Sequence, residues 1–219
     1  MPHPTHCFFD LDGTITDSAP GITGSVRYAM NKLNAPIPEG LDLNRFIGPP
    51  LLYGFSAFCG LSEADSVRAV EYYRENYRAG GMFECRVYDG IREVLTELNT
   101  RGVPLVLATC KPHEFAIKIL DKFDLLHYFR FVSGPEMDGT RNTKEEVIAY
   151  AMEQLGIDDP KSVLMIGDRA DDVLGAQKNG IDCAGALWGF GSQEELTDAG
   201  AAMLLSTPGD IPKLFGINT

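Results

Sequence analysis

The sequence predicts an α/β protein: a doubly wound, Rossmann-like parallel sheet with an inserted helical segment close to its N-terminus. Three observations predict this fold class. Short, uninterrupted apolar runs recur along the chain, amphipathic helical patterns lie between them, and the alternation stops for a long stretch after the first run. Strands of a parallel sheet are buried on both faces and are therefore continuously apolar. A chain of 219 residues suits one large domain with a sizeable insertion.

Six apolar runs are the candidate strands. They cover residues 6–9, 104–108, 129–132, 163–166, 183–187 and 202–205, and the last run is expected to form an edge strand. Between the runs, residues 91–98 and 143–155 have helical periodicity; in the second segment Val147 and Ala151 share one face. Gly102 is suited to end the first of these helices.

The alternation breaks in residues 16–83. This stretch contains two long helical patterns, 21–34 and 62–78, and little that resembles a buried strand. We therefore expect an α/β core made of residues 1–15 and 84–219, with residues 16–83 forming a helical cap domain.

Composition and charge exclude several classes of partner. The chain has 19 Lys and Arg residues against 31 Asp and Glu residues, a formal net charge of −12. Nucleic-acid polymers and anionic membranes need positive surfaces, so we expect neither as a partner. The five cysteines form no C-x-x-C pair, which indicates reduced thiols in a cytoplasmic protein. We expect no secretory leader and no membrane span; a monomer and a homodimer both remain open.

Two acidic residues follow the first apolar run. Asp10 and Asp12 leave the strand end two residues apart, and such close like charges call for a divalent cation or a shared proton. Gly13 allows a sharp turn and the close approach of a ligand. Taken alone, the pattern favours a turn at the strand end with solvated aspartates.

A second acidic group follows the run at residues 163–166. If the two strands are parallel neighbours, Asp168 lies beside Asp10 at the carboxyl edge of the sheet. Carboxylate oxygens around one point suit Mg²⁺. Asp171 and Asp172 are also present, and either acid can cap the following helix.

Two further positions suit an anion. Thr109 ends an apolar run, and residues 110–112 are expected to open a helix with Pro112 in its first turn. A hydroxyl and backbone amides at such an end form a phosphate cradle. Lys144 lies in the first turn of its helix, where the dipole disfavours a cation unless an anion is present. Taken in isolation, Thr109 is better explained as a helix cap and Lys144 as a solvated side chain.

In combination, these residues resemble the four motifs of the haloacid dehalogenase superfamily phosphatases, across essentially the whole chain. The insertion resembles the C1 type of cap in that superfamily. Shorter strings resemble its phosphoglycolate phosphatase-like and 5′-nucleotidase-like branch. The residues that carry the resemblance are Asp10, Asp12, Gly13, Thr14, Thr109, Lys144, Asp168 and Asp172, with the strings at 46–51, 88–91, 138–141 and 189–192.

The resemblance implies a mechanism. Asp10 would be the nucleophile that forms an aspartyl-phosphate, and Asp12 would protonate the leaving alcohol and later activate water. Mg²⁺ would be held by Asp10, Asp168 and the backbone carbonyl of Asp12. The substrate would be a small phosphorylated metabolite: phosphoglycolate, a nucleotide or a sugar phosphate.

The resemblance also implies phosphate-binding roles. Thr109, the adjoining Cys110 backbone and Lys144 would hold the transferring phosphoryl group. Asp172, in preference to Asp171, would orient a metal-bound water or Lys144. A cysteine phosphatase loop is excluded for Cys110, because the arginine required six residues later is absent.

Two residues of the expected cap are further candidates for the site. Arg45 and Gly48 are candidates for contact with the leaving group; Arg45 is equally compatible with a surface charge.

A sugar-phosphate mutase and a non-catalytic regulatory protein are the alternatives to a hydrolase. A dehalogenase is disfavoured, because that family lacks the second acid that is Asp12 here.

Overall fold

The computed structural model describes residues 3–217. Its strands are β1 (His6–Phe9), β2 (Thr16–Asp17), β3 (Arg86–Val87), β4 (Leu105–Ala108), β5 (Phe129–Ser133), β6 (Val163–Gly167), β7 (Asp182–Ala186) and β8 (Met203–Leu205). Its α-helices are α1 (Ala19–Lys32), α2 (Leu51–Cys59), α3 (Glu63–Ala79), α4 (Ile91–Thr100), α5 (His113–Lys122), α6 (Lys144–Leu155), α7 (Ala170–Lys178), α8 (Gln193–Asp198) and α9 (Ile211–Leu214).

Six strands form one parallel sheet in the order β5-β4-β1-β6-β7-β8, with helices on both faces. The predicted fold class and all six predicted strands are confirmed, and β8 lies at the edge as expected. Strand β1 occupies a central position, where Phe9 pairs with Leu107 of β4 and Ile166 of β6. The chain that leaves β1 therefore emerges between the ends of its two neighbours.

Apolar packing explains the position of β1. Cys7, Phe8 and Phe9 are completely buried, which is the burial expected of a strand covered on both faces. Phe8 belongs to a core cluster that also contains residues of α6 and α7, such as Ile148 and Val173. The sheet therefore holds β1 firmly, and with it the residues that follow.

The chain divides into two compact units. One consists of the chain up to Thr16 and from Val87 onward, and the other is Asp17–Arg86. The predicted boundaries lie close to these breaks. The assignment of the units as a catalytic core and a cap stays a prediction. Within the described residues, no helix has the length and apolar character needed to cross a membrane. The cytoplasmic location also stays a prediction.

Helix α2 is not predicted from the sequence, because glycines and prolines interrupt the apolar stretch at residues 46–62. Gly54 lies inside the helix, where a methyl group would lie 2.7 Å from the ring of Phe46. The glycine thus lets that ring pack against the helix, and the Phe46 and Phe55 ring centres are 5.1 Å apart. Tertiary packing outweighs the poor helix propensity of glycine here. Gly60, at φ 68°, ends the helix.

Helix α5 begins later than predicted. Pro112 has φ −49° and ψ 131°, outside the helical region, so residues 110–112 form a loop and the helix starts at His113. The predicted place of Pro112 in the first turn is therefore wrong by one residue. The cause is tertiary: the backbone amide of His113 donates to the carbonyl of Pro135, 2.8 Å away, which sets the direction of the chain.

Candidate active site

The sheet brings three predicted site residues to one edge. Asp10 follows β1, Thr109 follows β4 and Asp168 follows β6, and these strands are parallel neighbours. Carboxylate oxygens of Asp10, Asp168 and Asp172 lie within 4.8 Å of one another, and all three residues are buried. The register of the sheet thus assembles a charged group from residues that are more than 150 positions apart in the chain.

A tight turn fixes the segment after Asp10. The Gly13 amide donates to the Thr16 carbonyl at 2.7 Å, and the Ile15 and Thr16 amides both donate to the carbonyl of Leu11. Gly13 has φ 91°, and a methyl group there would lie 2.1 Å from Oδ2 of Asp168. Both the backbone conformation and the close approach require glycine at this position.

We expect Gly13→Ala to lower the free energy of unfolding by about 2 kcal/mol or more, since a side chain at positive φ and a clash with Asp168 both cost energy. Urea denaturation measures the effect. Gly24→Ala in α1 is the matched control: its methyl group would meet nothing closer than 3.7 Å, so it should leave stability unchanged or raise it by up to about 1 kcal/mol. Equal midpoints for Gly13→Ala and the wild type would contradict the role of Gly13.

Asp168 is completely buried. Its Oδ1 accepts a hydrogen bond from the Thr14 hydroxyl at 2.9 Å, and its Oδ2 accepts one from the backbone amide of Phe190 at 2.8 Å. Burial raises the pKa of Asp168 well above its usual value, and the charges of Asp172 and Asp10 raise it further. An anionic Asp168 at this position therefore needs a compensating cation.

The structure distinguishes Asp172 from Asp171. Oδ2 of Asp172 accepts hydrogen bonds from the backbone amides of Asp168 and Arg169, both at 3.0 Å, so this carboxylate folds back over the start of α7. Asp171 is exposed. Burial raises the pKa of Asp172 to about 6, against the opposing charge of Lys144. The acid that caps α7 and the acid that lies beside the lysine are thus the same residue.

Lys144 connects the carboxylates. Its Nζ lies 2.7 Å from Oδ1 of Asp10 and 2.7 Å from Oδ1 of Asp172, and it donates to the carbonyl of Ala108 at 3.0 Å. Burial opposes the charge of Lys144, but the two carboxylates outweigh it and hold the lysine pKa well above its usual value. A methyl group at Gly175 of α7 would lie 2.6 Å from Cγ of Lys144. The absence of a side chain at Gly175 therefore leaves room for the Lys144 side chain.

Thr109 and Cys110 lie at the end of β4. The Thr109 amide donates to the carbonyl of Ser133 at 3.0 Å, and its buried hydroxyl accepts from the amide of Lys111 at 3.2 Å. The hydroxyl proton can therefore still be donated to a ligand. Burial raises the pKa of the Cys110 thiol to about 12, so it is neutral and a poor nucleophile.

Sequence reasoning missed Lys111. Its Nζ lies 2.5 Å from Oδ2 of Asp12, and its side chain is only 5% exposed. The signal that the sequence offered was the place of this lysine in the chain. Lys111 follows Thr109 by two residues, at the end of β4, which is the strand beside β1. A buried ammonium so near a strand end must find an anion there.

Arg45 and Gly48 lie in the unit Asp17–Arg86. The Arg45 guanidinium is 4.3 Å from the centre of the Phe58 ring, and Arg45 and Gly48 are both exposed. Gly48 has φ 103°. Their contact with a leaving group stays a prediction.

The charges of the group do not balance. Among residues 3–217, Asp10 and Asp172 share the ammonium of Lys144, Lys111 pairs with Asp12, and no ion pair joins a cation to Asp168. The group therefore has an excess of negative charge that is buried away from water. Such burial costs free energy unless a cation binds to the group. Oxygen ligands alone favour a hard divalent ion. The residues present therefore fit a metal centre.

Comparison with known proteins gives a family match and several similar proteins. A family model described as haloacid dehalogenase-like hydrolase matches residues 7–186. A 5′-nucleotidase of Pseudomonas aeruginosa is 46% identical over 188 residues, which cover 86% of this chain and 85% of the relative. Tyrosine-protein kinase PtkA of Mycobacterium tuberculosis is 41% identical over 188 residues, which cover 86% of this chain but 64% of that protein.

Phosphoglycolate phosphatase 1 of Pseudomonas aeruginosa is 28% identical over 216 residues, which cover 95% of this chain and 78% of the relative. The crystal structure of a predicted phosphatase from Clostridium acetobutylicum matches with a TM-score of 0.89 and 44% identity. The match covers 97% of this chain and 98% of that one.

Proposed function

Because this chain belongs to the haloacid dehalogenase-like hydrolases and is a phosphatase of that family, we propose that it hydrolyses a small phosphate monoester through an aspartyl-phosphate on Asp10, with Mg²⁺ as cofactor. One observation carries the proposal. The carboxylate of Asp10 lies at the end of the central strand, in contact with the buried ammonium of Lys144 and close to Asp168.

In the proposed first step, an Asp10 carboxylate oxygen attacks phosphorus and the ester P–O bond breaks. The electron pair of that bond stays on the leaving oxygen, which takes a proton from Asp12. In the second step, a water oxygen attacks phosphorus and gives a proton to Asp12, while the P–O bond to Asp10 breaks and its electron pair returns to the Asp10 carboxylate. Phosphate is then released and Asp10 is regenerated.

The same geometry supports a place for the phosphoryl group. The Thr109 hydroxyl, the Cys110 backbone and the Lys144 ammonium would hold the oxygens on which negative charge is spread. Lys144 already contacts Asp10, so it would lie beside both the nucleophile and the group being transferred. Among residues 3–217, Lys144 forms an ion pair with Asp10, whereas the ammonium of Lys111 pairs with Asp12.

Mg²⁺ would be held by the carboxylates of Asp10 and Asp168 and by the backbone carbonyl of Asp12. When bound, the ion would neutralise the repulsion between the anionic nucleophile and the phosphate. Asp172 is already engaged by Lys144 and by two backbone amides, which supports an orienting role for it rather than direct ligation.

We expect chelation to stop hydrolysis and Mg²⁺ to restore it. Mg²⁺ at about a hundredfold over its Kd should also raise Tm by about 5 °C or more. Asp168→Asn should abolish this shift, whereas Asp171→Asn, an exposed neighbour, should retain it. Hydrolysis that persists in chelator would contradict the metal centre.

The thermal shift should depend on pH. The raised pKa of Asp168 and Asp172 means that the folded chain binds protons more tightly than the unfolded chain. Without metal, this contribution to stability is lost as the pH rises from about 4 through about 6, because the buried carboxylates become charged. The shift produced by Mg²⁺ should therefore be larger at pH 8 than at pH 5, as differential scanning fluorimetry can measure. Equal shifts would contradict the raised pKa values.

A substrate panel tests the substrate class. It would compare nucleoside 5′-monophosphates, phosphoglycolate, sugar phosphates and phosphotyrosine by kcat/KM with Mg²⁺. The relative named 5′-nucleotidase supports nucleoside 5′-monophosphates, for which we expect the highest value. Transfer of phosphate to another position of a sugar would instead favour a mutase. An absence of turnover on every ester with Mg²⁺ would favour the non-catalytic alternative.

A further inference from the structure

We propose that Lys111 is a positioning residue that holds the carboxyl group of Asp12 in place for the leaving group. This rests on the proposed function, in which Asp12 serves the leaving oxygen. Lys111 is not among the residues through which the chain resembles its family, and its role follows from the contacts in this structure.

The contact between the two side chains is short and buried. Nζ of Lys111 lies 2.5 Å from Oδ2 of Asp12, and the side chains are 5% and 15% exposed. The other carboxyl oxygen, Oδ1 of Asp12, is buried and has no hydrogen-bond partner among residues 3–217. One oxygen of Asp12 is thus held by Lys111, and the other can carry the proton that the proposed first step transfers to the leaving oxygen.

Both ends of this contact are fixed by the backbone. The Lys111 amide donates to the Thr109 hydroxyl at 3.2 Å, which ties the lysine to the end of β4. A methyl group at Gly134 would lie 2.7 Å from the carbonyl oxygen of Lys111, so the segment after β5 packs directly against it. Asp12 itself precedes the tight turn at Gly13. Lys111 therefore reaches Asp12 from a rigid base, and its hydrogen bond to Oδ2 selects one orientation of the carboxyl group, with the proton on Oδ1 when Asp12 acts as the acid.

The loss of Lys111 should slow the hydrolysis of some esters and not of others. In the proposed first step, Lys111 neither gives nor takes the proton that moves from Asp12 to the leaving oxygen. It orients the carboxyl group, and misplacement by about 1 Å can cost about 10²-fold in rate. An alkyl ester depends on that proton, because an alkoxide is a poor leaving group. A p-nitrophenyl ester does not, because p-nitrophenolate leaves as a stable anion.

The test compares these two esters in the Lys111→Met variant with Mg²⁺. Because kcat/KM covers the steps up to the transfer to Asp10, later hydrolysis of the aspartyl-phosphate does not mask the effect. We expect kcat/KM for the best alkyl phosphate of the panel to fall about 10²-fold, and that for p-nitrophenyl phosphate to fall by less than about threefold. Asp12→Asn should show the same preference. Lys118→Met, on the exposed side of α5, is the matched control and should change neither value.

A second variant guards against misfolding. Lys111→Arg keeps the charge but displaces the carboxyl group, so it should show the same selective loss at a smaller size, about tenfold or less. Circular dichroism shows which of the two variants is folded. In a folded variant, an equal fall in kcat/KM for both esters, or no fall for either, would overturn the proposal. Asp10→Asn should abolish hydrolysis of both esters, so failure of the nucleophile assignment gives a different result from failure of the Lys111 proposal.

Discussion

Asp10→Asn is expected to lower kcat by about 10⁴-fold or more, because an amide cannot replace the carboxylate as nucleophile. The substitution is nearly isosteric, and its amide oxygen can still accept a hydrogen bond from Lys144, 2.7 Å from Oδ1 in the native site. The loss should therefore be chemical and not structural. Initial rates with Mg²⁺, together with far-UV circular dichroism, measure both properties.

Asp171→Asn is the control for this substitution. It removes one carboxylate within a few residues of the site, but this residue is exposed and lies outside the group formed by Asp10, Asp168 and Asp172. Its kcat should stay within about twofold of the wild type, as is usual for exposed substitutions. Substantial turnover by a folded Asp10→Asn variant would overturn the nucleophile assignment.

Lys144→Met is expected to have the largest effect on stability. Removing one partner of a buried ion pair leaves uncompensated charge and typically costs about 3–5 kcal/mol. Here the lysine contacts both Asp10 and Asp172, and its side chain is 5% exposed. Phosphatase activity should be lost as well, because the proposed phosphate contact disappears.

Lys178→Met supplies the comparison for Lys144. Lys178 pairs with Glu145 at 2.9 Å, but these side chains are 63% and 47% exposed, so its removal should cost no more than about 1 kcal/mol. Urea denaturation of both variants gives the difference directly. The cost of Lys144→Met should shrink as the pH falls towards about 6, because the lysine charge lowers the pKa of Asp172 and, without it, this carboxyl group takes up a proton at a higher pH than in the wild type. Similar denaturation midpoints for the two variants would contradict the buried ion-pair network.

The fold was predictable because its signal is local. The short apolar run at residues 6–9, bounded by polar residues and followed by helical patterns, is typical of a strand covered on both faces, and the same holds for the runs that form β4 and β6. Once these strands are parallel, Asp10 and Asp168 must emerge at the same edge. Composition, apolar periodicity and strand-end residues therefore determined the sheet and the centre of the candidate site.

Tertiary packing decided the remaining features. Helix α2 contains Gly54, whose poor propensity is overcome only because the Phe46 ring packs against it. The start of α5 depends on a hydrogen bond from His113 to Pro135, which lies beyond the next strand. A local sequence pattern indicates neither contact, because each depends on how a segment outside the helix packs against it.

The same division applies to the candidate site. The sequence by itself determined which residue types stand at the strand ends: carboxylates, a hydroxyl and a lysine. Only the tertiary structure decided that Asp172, not Asp171, meets Lys144, and that Lys111 meets Asp12. Adjacent residues of one chemical type are equivalent in a sequence. They become different only when helix geometry turns one inward, where burial makes its charge depend on a particular partner.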